Sequence, residues 1–184
     1  MTGPGERPGP GERPGPGPGM AAPGGEEVDR VDLLDRVVGV TSRAAAVRNG
    51  WLHRVAGVVC RDTSGRILVV RRSPLRQRFP GRLEALVAGA VKAGESYRAA
   101  AVREVREELG VVVEPRPLGR FLDAESPTPH WMGLFECRIP AVRLVVDPAE
   151  IAEYAWHTPA AVRELCAAGL LTPESAPALS RVRA

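Results

Sequence analysis

Residues Gly89 to Val111 constrain this chain more than any other stretch, because a glycine loop there opens into an acidic, amphipathic segment with both ends marked. At about 100° per residue, Ala101, Val102, Val105 and Leu109 share one stripe, and Glu104, Glu107 and Glu108 centre roughly 120° away from it. Ser96 has the side chain of an N-cap and Gly110 stands where a left-handed residue closes a helix, so the spacing predicts a helix over 97–109. Such a helix buries one side on a sheet while its carboxylates stay open.

Isolated charges would need no more than a solvated face, with Arg103 and Glu107 as an i,i+4 pair. Three clustered glutamates instead repel by a few tenths of a kcal/mol per pair, and a hard dication with oxygen ligands removes that penalty. Magnesium suits such a group, with manganese as its substitute, because it takes few carboxylates, keeps several waters and bridges phosphate oxygens.

The whole pattern reads Gly89, five residues, Glu95, seven residues, Arg103-Glu104, an apolar residue, any residue, Glu107-Glu108, any residue, Gly110 and an apolar residue. Every fixed position of the Nudix box is filled, and on these residues the chain resembles the Nudix hydrolases. The resemblance implies an α/β fold, a sandwich of helices around a mixed β-sheet. It also implies a magnesium-dependent enzyme that breaks a phosphoanhydride bond, in a nucleoside diphosphate derivative or another organic diphosphate, by attack of water. Glu104 and Glu108 are the implied metal ligands, with Glu107 and the Gly89 carbonyl as further ones. Arg103 is implied to hold the carboxylates and to contact Glu95. One of these glutamates, or Glu150 or Glu153 from a loop, would orient or deprotonate the water, and the sequence does not choose among them.

At 184 residues the chain has room for one domain with a real core. The expected layout is a disordered Pro/Gly arm over 1–25, the Nudix-like domain over 26–172 and a short tail over 173–184. The formal charge of +3 is small, Lys92 is the only lysine, and no long basic run marks a nucleic-acid arm. No apolar stretch is long enough to span a bilayer. Cys60, Cys137 and Cys166 show neither metal-ligand spacing nor a redox pair. The expectation is a cytoplasmic protein with a small diphosphate as its partner, needing neither nucleic acid nor membrane; a homodimer is allowed.

Periodicity predicts strands over 37–40, 52–60, 67–71, 86–89, 111–113, 118–122, 131–139 and 154–157, and a helical turn over 43–48. The Asp62-Thr63-Ser64-Gly65 cluster reads as a hairpin turn, and Thr158-Pro159 as the start of a further helix. One last helical turn follows Thr172.

The resemblance reaches beyond the box. Val31-Asp32-Leu33-Leu34-Asp35, Thr41-Ser42-Arg43, Leu52-His53-Arg54, Ile67 to Arg72, Phe79-Pro80-Gly81 and Glu150 to Trp156 look like the branch that contains isopentenyl-diphosphate isomerase, and the overall pattern is closest to uncharacterised bacterial hydrolases of that branch. The isomerases use a cysteine and hold a metal on histidines. Here the cysteine position falls at Ala88 and two histidine positions at Ala46 and Ala90, while Pro129-His130-Trp131-Met132 replaces an acidic pair. Only His53 remains, and alone it reads as a hydrogen-bonded strand residue. The hydrolase reading therefore leads, with an isomerase-like enzyme or a non-catalytic Nudix-fold binding module as alternatives.

Arg71, Arg72, Arg76, Arg78 and Arg82 cluster before the box. Guanidinium forks match phosphate oxygens, so the first four are the candidate substrate-binding residues. A solvated basic loop is the plain alternative for any one of them, and alternation in a strand lets only one of Arg71 and Arg72 face the site.

Overall fold

In the computed structural model, which describes residues 25–140 and 143–182, β1 (Glu27–Val31) and β2 (Val37–Ser42) form an antiparallel hairpin that leads into α1 (Arg43–Asn49). Apart from Gly25, the arm expected over 1–25 lies outside the described residues. α1 begins because the Ser42 hydroxyl accepts from Ala45 N, and it stops because Gly50 takes φ 64°.

The main sheet holds β3 (Arg54–Arg61), β4 (Ile67–Arg72), β5 (Leu83–Glu84), β6 (Val87–Ala90), β7 (Arg116–Asp123), β8 (His130–Arg138) and β9 (Ile151–His157). β3 is central, parallel to β8 and antiparallel to β4 and β6. β7 lies antiparallel outside β8, and β5 and β9 pair with β4. One parallel pairing among antiparallel ones makes the sheet mixed, as expected.

Alternation along β3 splits the core into two layers. Ala56, Val58 and Cys60 pack against α2 (Tyr97–Leu109) through Ala101, Val105 and Leu109. On the other face Val59, Met132 and Leu134 meet Val162 of α3 (Pro159–Ala167) and Ala178 of α4 (Ser175–Leu179). The result is a sheet between helices.

Several expectations change. β1 and β5 were not legible. Residues 111–113 alternate as a strand does, with Val113 buried and Val112 74% exposed, yet they stay irregular because no ladder partner meets them. Val102 leaves the buried side of α2, and Ala100 takes its place. The cysteines, which sequence spacing kept apart, do not all stay so. Parallel pairing sets Cys60 opposite Cys137 and brings their thiols to 3.6 Å, both unoxidised and buried.

Candidate active site

β6 feeds the site directly, and β1 holds the loop that follows. Val28 bridges Lys92, Ala93 N donates to the Glu27 carbonyl at 2.9 Å, and Gly94 N donates to Asp29 Oδ2 at 3.2 Å. Gly94 turns the chain at φ 74°, and Ser96 Oγ then accepts from Ala99 N at 3.1 Å to start α2. α2 spans the predicted residues and ends at Gly110 with φ 69°.

Glu104 lies across Gly89. A Cβ on Gly89 would sit 2.0 Å from Glu104 Oε1, so the glycine is required by a carboxylate that crosses the strand at close range. Arg103 then gathers the acidic groups. Its Nε and Nη2 donate to the two Glu95 oxygens at 3.0 and 2.9 Å, Nη2 also reaches the Ala90 carbonyl at 3.0 Å, and Nη1 pairs with Glu104 and with Glu107 at 3.3 Å. These bonds, the one to Glu95 foremost, raise the guanidinium's affinity for its proton.

The carboxylates are unequal. Glu107 is exposed and held by Arg103, whereas Glu104 is buried, and burial raises its pKa against the opposing pull of Arg103. Glu108 is raised furthest, by burial first and then by Glu84, Glu104 and Glu150, and no hydrogen bond reaches its side chain among the described residues. Arg76 pulls the other way without pairing with it, so the like charges and burial prevail.

A cavity of about 220 Å³ opens in front of these residues. Its carboxylates are Glu26, Glu104, Glu107, Glu108, Asp147 and Glu150, and its cations are Arg43, Arg76, Lys92 and Arg103. Six against four leaves a formal charge of −2, which one dication would balance. The oxygen-only donor set suits magnesium. Among the described residues no three acidic, histidine or cysteine side chains converge as a ready cage, because Arg103 holds Glu104 and Glu107; these must turn from it to ligate. A wider, open groove of about 750 Å³ along the outer side of α2 carries only Glu107 among acidic residues and offers no such set.

Of the four candidate arginines, only Arg76 lines the cavity, where it pairs with Glu150. Arg72 is bound to buried Glu84 and to the Arg78 carbonyl. Arg78 joins Thr128 and Glu174, both at 2.6 Å. Arg71 lies outside with Glu153, and Arg82 binds the Gly169 and Leu171 carbonyls. Arg71, Arg72 and Arg78 each pair with a partner away from the cavity. Of the two loop glutamates, Glu150 faces the site and Glu153 does not.

Sequence reasoning missed Glu26, Arg43, Lys92 and Asp147 as cavity walls. Nothing local marks Glu26, Arg43 and Asp147, because they arrive from the start of the hairpin, α1 and a distant turn, whereas Lys92 lies in the glycine loop itself between β6 and α2. His53 is buried, with Nδ1 3.4 Å from the Trp51 carbonyl. Trp131 donates from Nε1 to the Asp32 carbonyl at 3.1 Å, and Trp51 lies under Arg30. None of the three lines the cavity.

A family model described as the NUDIX domain matches residues 51–181. An uncharacterised Nudix hydrolase of Streptomyces coelicolor is 40% identical over 142 residues, 76% of each chain. A Nudix hydrolase of Deinococcus radiodurans is 34% identical over 152 residues, 79% of this chain and 88% of that one. The crystal structure of DR0079 from Deinococcus radiodurans superposes with a TM-score of 0.75 at 34% identity, covering 85% of this chain and 98% of that one.

Proposed function

The chain belongs to the Nudix family, and on that premise we propose that it is a magnesium-dependent hydrolase of organic diphosphates, nucleoside diphosphate derivatives foremost, acting in the cytoplasm. One observation carries the reading: Glu108 is half-buried among like charges with no hydrogen-bond donor among the described residues, in a cavity whose walls carry two more carboxylates than cations. That arrangement costs stability unless a dication enters.

Glu104, Glu107, Glu108 and the Gly89 carbonyl are the residues that would hold magnesium, which supplies neutralisation of phosphate charge and polarisation of the attacked phosphorus. Arg103 keeps the glutamates gathered by its fork on Glu95. Arg76, with Arg43 and Lys92, offers donors to phosphate oxygens from the same cavity. A carboxylate of the wall takes the proton of the attacking water, while the anhydride bond breaks and its electrons pass to the leaving phosphate.

Isomerase chemistry is the weaker reading, although the sequence outside the box looks like that branch. Ala46 and Ala90, two of its metal-histidine positions, pack with Val28 in a small apolar cluster, and neither methyl can serve as a metal ligand.

The test is a panel of nucleoside diphosphate derivatives, nucleoside triphosphates and prenyl diphosphates with magnesium, scored for released phosphate or monophosphate. Wild type should turn over at least one class, and Glu104→Gln and Glu108→Gln should lose on the order of 10²–10³-fold in kcat. Variants as fast as wild type, or isomerised rather than hydrolysed prenyl diphosphate, would refute it.

A further inference from the structure

The segment after the core strands is tied to both sides of the cavity. Asp147 N donates to the Glu108 carbonyl at 3.1 Å, anchoring the turn on the last turn of α2. Glu150 N donates to the Asp147 carbonyl at 3.0 Å, and the Glu150 carbonyl accepts from Ser73 N at 2.8 Å. Ser73 begins the arginine-rich loop, and its carbonyl accepts from Arg76 N at 3.1 Å. Backbone bonds thus fix Glu150 and Arg76 opposite each other while both side chains project into the same cavity. The two side chains are about one quarter exposed, 26% for Arg76 and 28% for Glu150.

Among the described residues, two ion pairs of the cavity wall join side chains that hold only each other, Arg76 with Glu150 and, at 3.6 Å, Arg43 with Glu26; of the two, only the first is tied by backbone bonds to α2 and to the arginine-rich loop. Arg103 has Glu95, Glu104, Glu107 and a carbonyl, so losing one contact leaves it satisfied. Arg72 and Arg78 have neutral partners besides their glutamates. Arg76 and Glu150 have only each other as side-chain partners. Either is therefore free to exchange its partner for a ligand, and the ligand class of the site is an anion that arrives beside Glu108.

We infer that Arg76 and Glu150 form a latch opened by the substrate: a phosphate of the incoming diphosphate takes the Arg76 guanidinium, and the released Glu150 becomes the base for the attacking water. The inference rests on the hydrolase reading above and assigns the base that sequence left open. In the step, the water oxygen bonds to phosphorus, its proton passes to the Glu150 carboxylate, and the bridging P–O bond breaks with its electrons on the leaving phosphate. In the unliganded enzyme Arg76 masks the base, so the activated carboxylate appears only when an anion is in place.

The latch makes a signature that a plain structural ion pair does not. Methylenediphosphonate, whose P–C–P bridge resists hydrolysis, serves as the probe in magnesium, with affinity read by titration calorimetry. Glu150→Gln frees Arg76, so the probe should bind about 2- to 5-fold tighter than to wild type while turnover falls on the order of 100-fold. Arg76→Ala should weaken the probe about 10-fold or more, and Arg76→Lys should fall between, because the point charge remains without the fork. Unchanged or weaker binding by folded Glu150→Gln, turnover within 3-fold of wild type, or probe affinity indifferent to Arg76→Ala would each overturn the latch. Glu108→Gln separates the two levels. If that variant is inactive while Glu150→Gln turns over normally, the latch fails and the hydrolase reading stands; if Glu108→Gln stays active, the reading itself fails.

Discussion

The acidic helix and the arginine-rich loop face each other across one cavity, and they satisfy their charges in opposite ways. On α2, one guanidinium serves three glutamates, and Glu108 has no hydrogen-bond donor among the described residues. In the loop, Arg71, Arg72, Arg78 and Arg82 each meet an acceptor from another part of the chain, and only Arg76 spends its charge inside the site. Charge in excess of its partners marks the place where a ligand is needed. Charge matched by partners marks the place where the fold is held. Composition alone assigns both stretches to binding; the contacts divide them.

The largest test of that division is Arg72→Ala. It leaves Glu84 buried without its cation, so unfolding should cost about 3–5 kcal/mol less, read as a lower urea midpoint, with KM for the surviving protein unchanged. A raised KM at wild-type stability would instead place Arg72 on the substrate and erase the contrast.

pH should separate the two regions by sign. Burial lowers the His53 pKa from 6.5 to about 4 against the bond to the Trp51 carbonyl, with smaller contributions from His130 and then from Arg43 and Arg78. The folded ring stays neutral while the unfolded ring protonates below pH 6.5, so this group's stability is whole above 6.5 and is lost between 6.5 and about 4, by roughly 3 kcal/mol. Glu84, Glu104 and Glu108 are raised above 4.5, so the folded state binds their protons first, and in metal-free protein their contribution rises as pH falls toward 4.5. Denaturant titrations of wild type and His53→Asn should show the acid loss shrink in the variant; identical slopes would dismiss His53 as its source. Magnesium should flatten the part that belongs to the glutamates.

Gly89→Ala sharpens the acidic side. The added methyl falls on the Glu104 carboxylate, the movable end of a side chain, so the fold should survive while kcat drops on the order of 100-fold. Activity near wild type would mean that Glu104 does not need its position over the strand. The smallest effect is expected at Ser96→Ala, where the lost cap on Ala99 N should cost about 1 kcal/mol in thermal unfolding and leave the cavity residues in place.

The helix that carries the acidic groups was legible to its last residue because its signals are local: Ser96 at one end, Gly110 at the other, and the apolar repeat between them. The same locality exposed Thr158 as the cap of α3. Local signals also misled. Val111 and Val113 bury side chains as a strand would, but pairing needs a neighbour that the sheet does not supply. β1, unmarked in sequence, is what pins the loop between Gly89 and Ser96.

Sequence by itself determined the acidic helix, its glycine loop, the family they define and the mixed sheet that family implies, because caps, glycines and periodicity act within a few residues of one another. Tertiary structure decided which charges remain unmatched. Arg72 finds Glu84, Arg78 finds Glu174 and Arg76 finds Glu150 across separations of 12, 96 and 74 residues, and no pattern along the chain encodes such meetings. They follow from strand order and loop anchoring, and a charge's role follows from whether such a partner arrives.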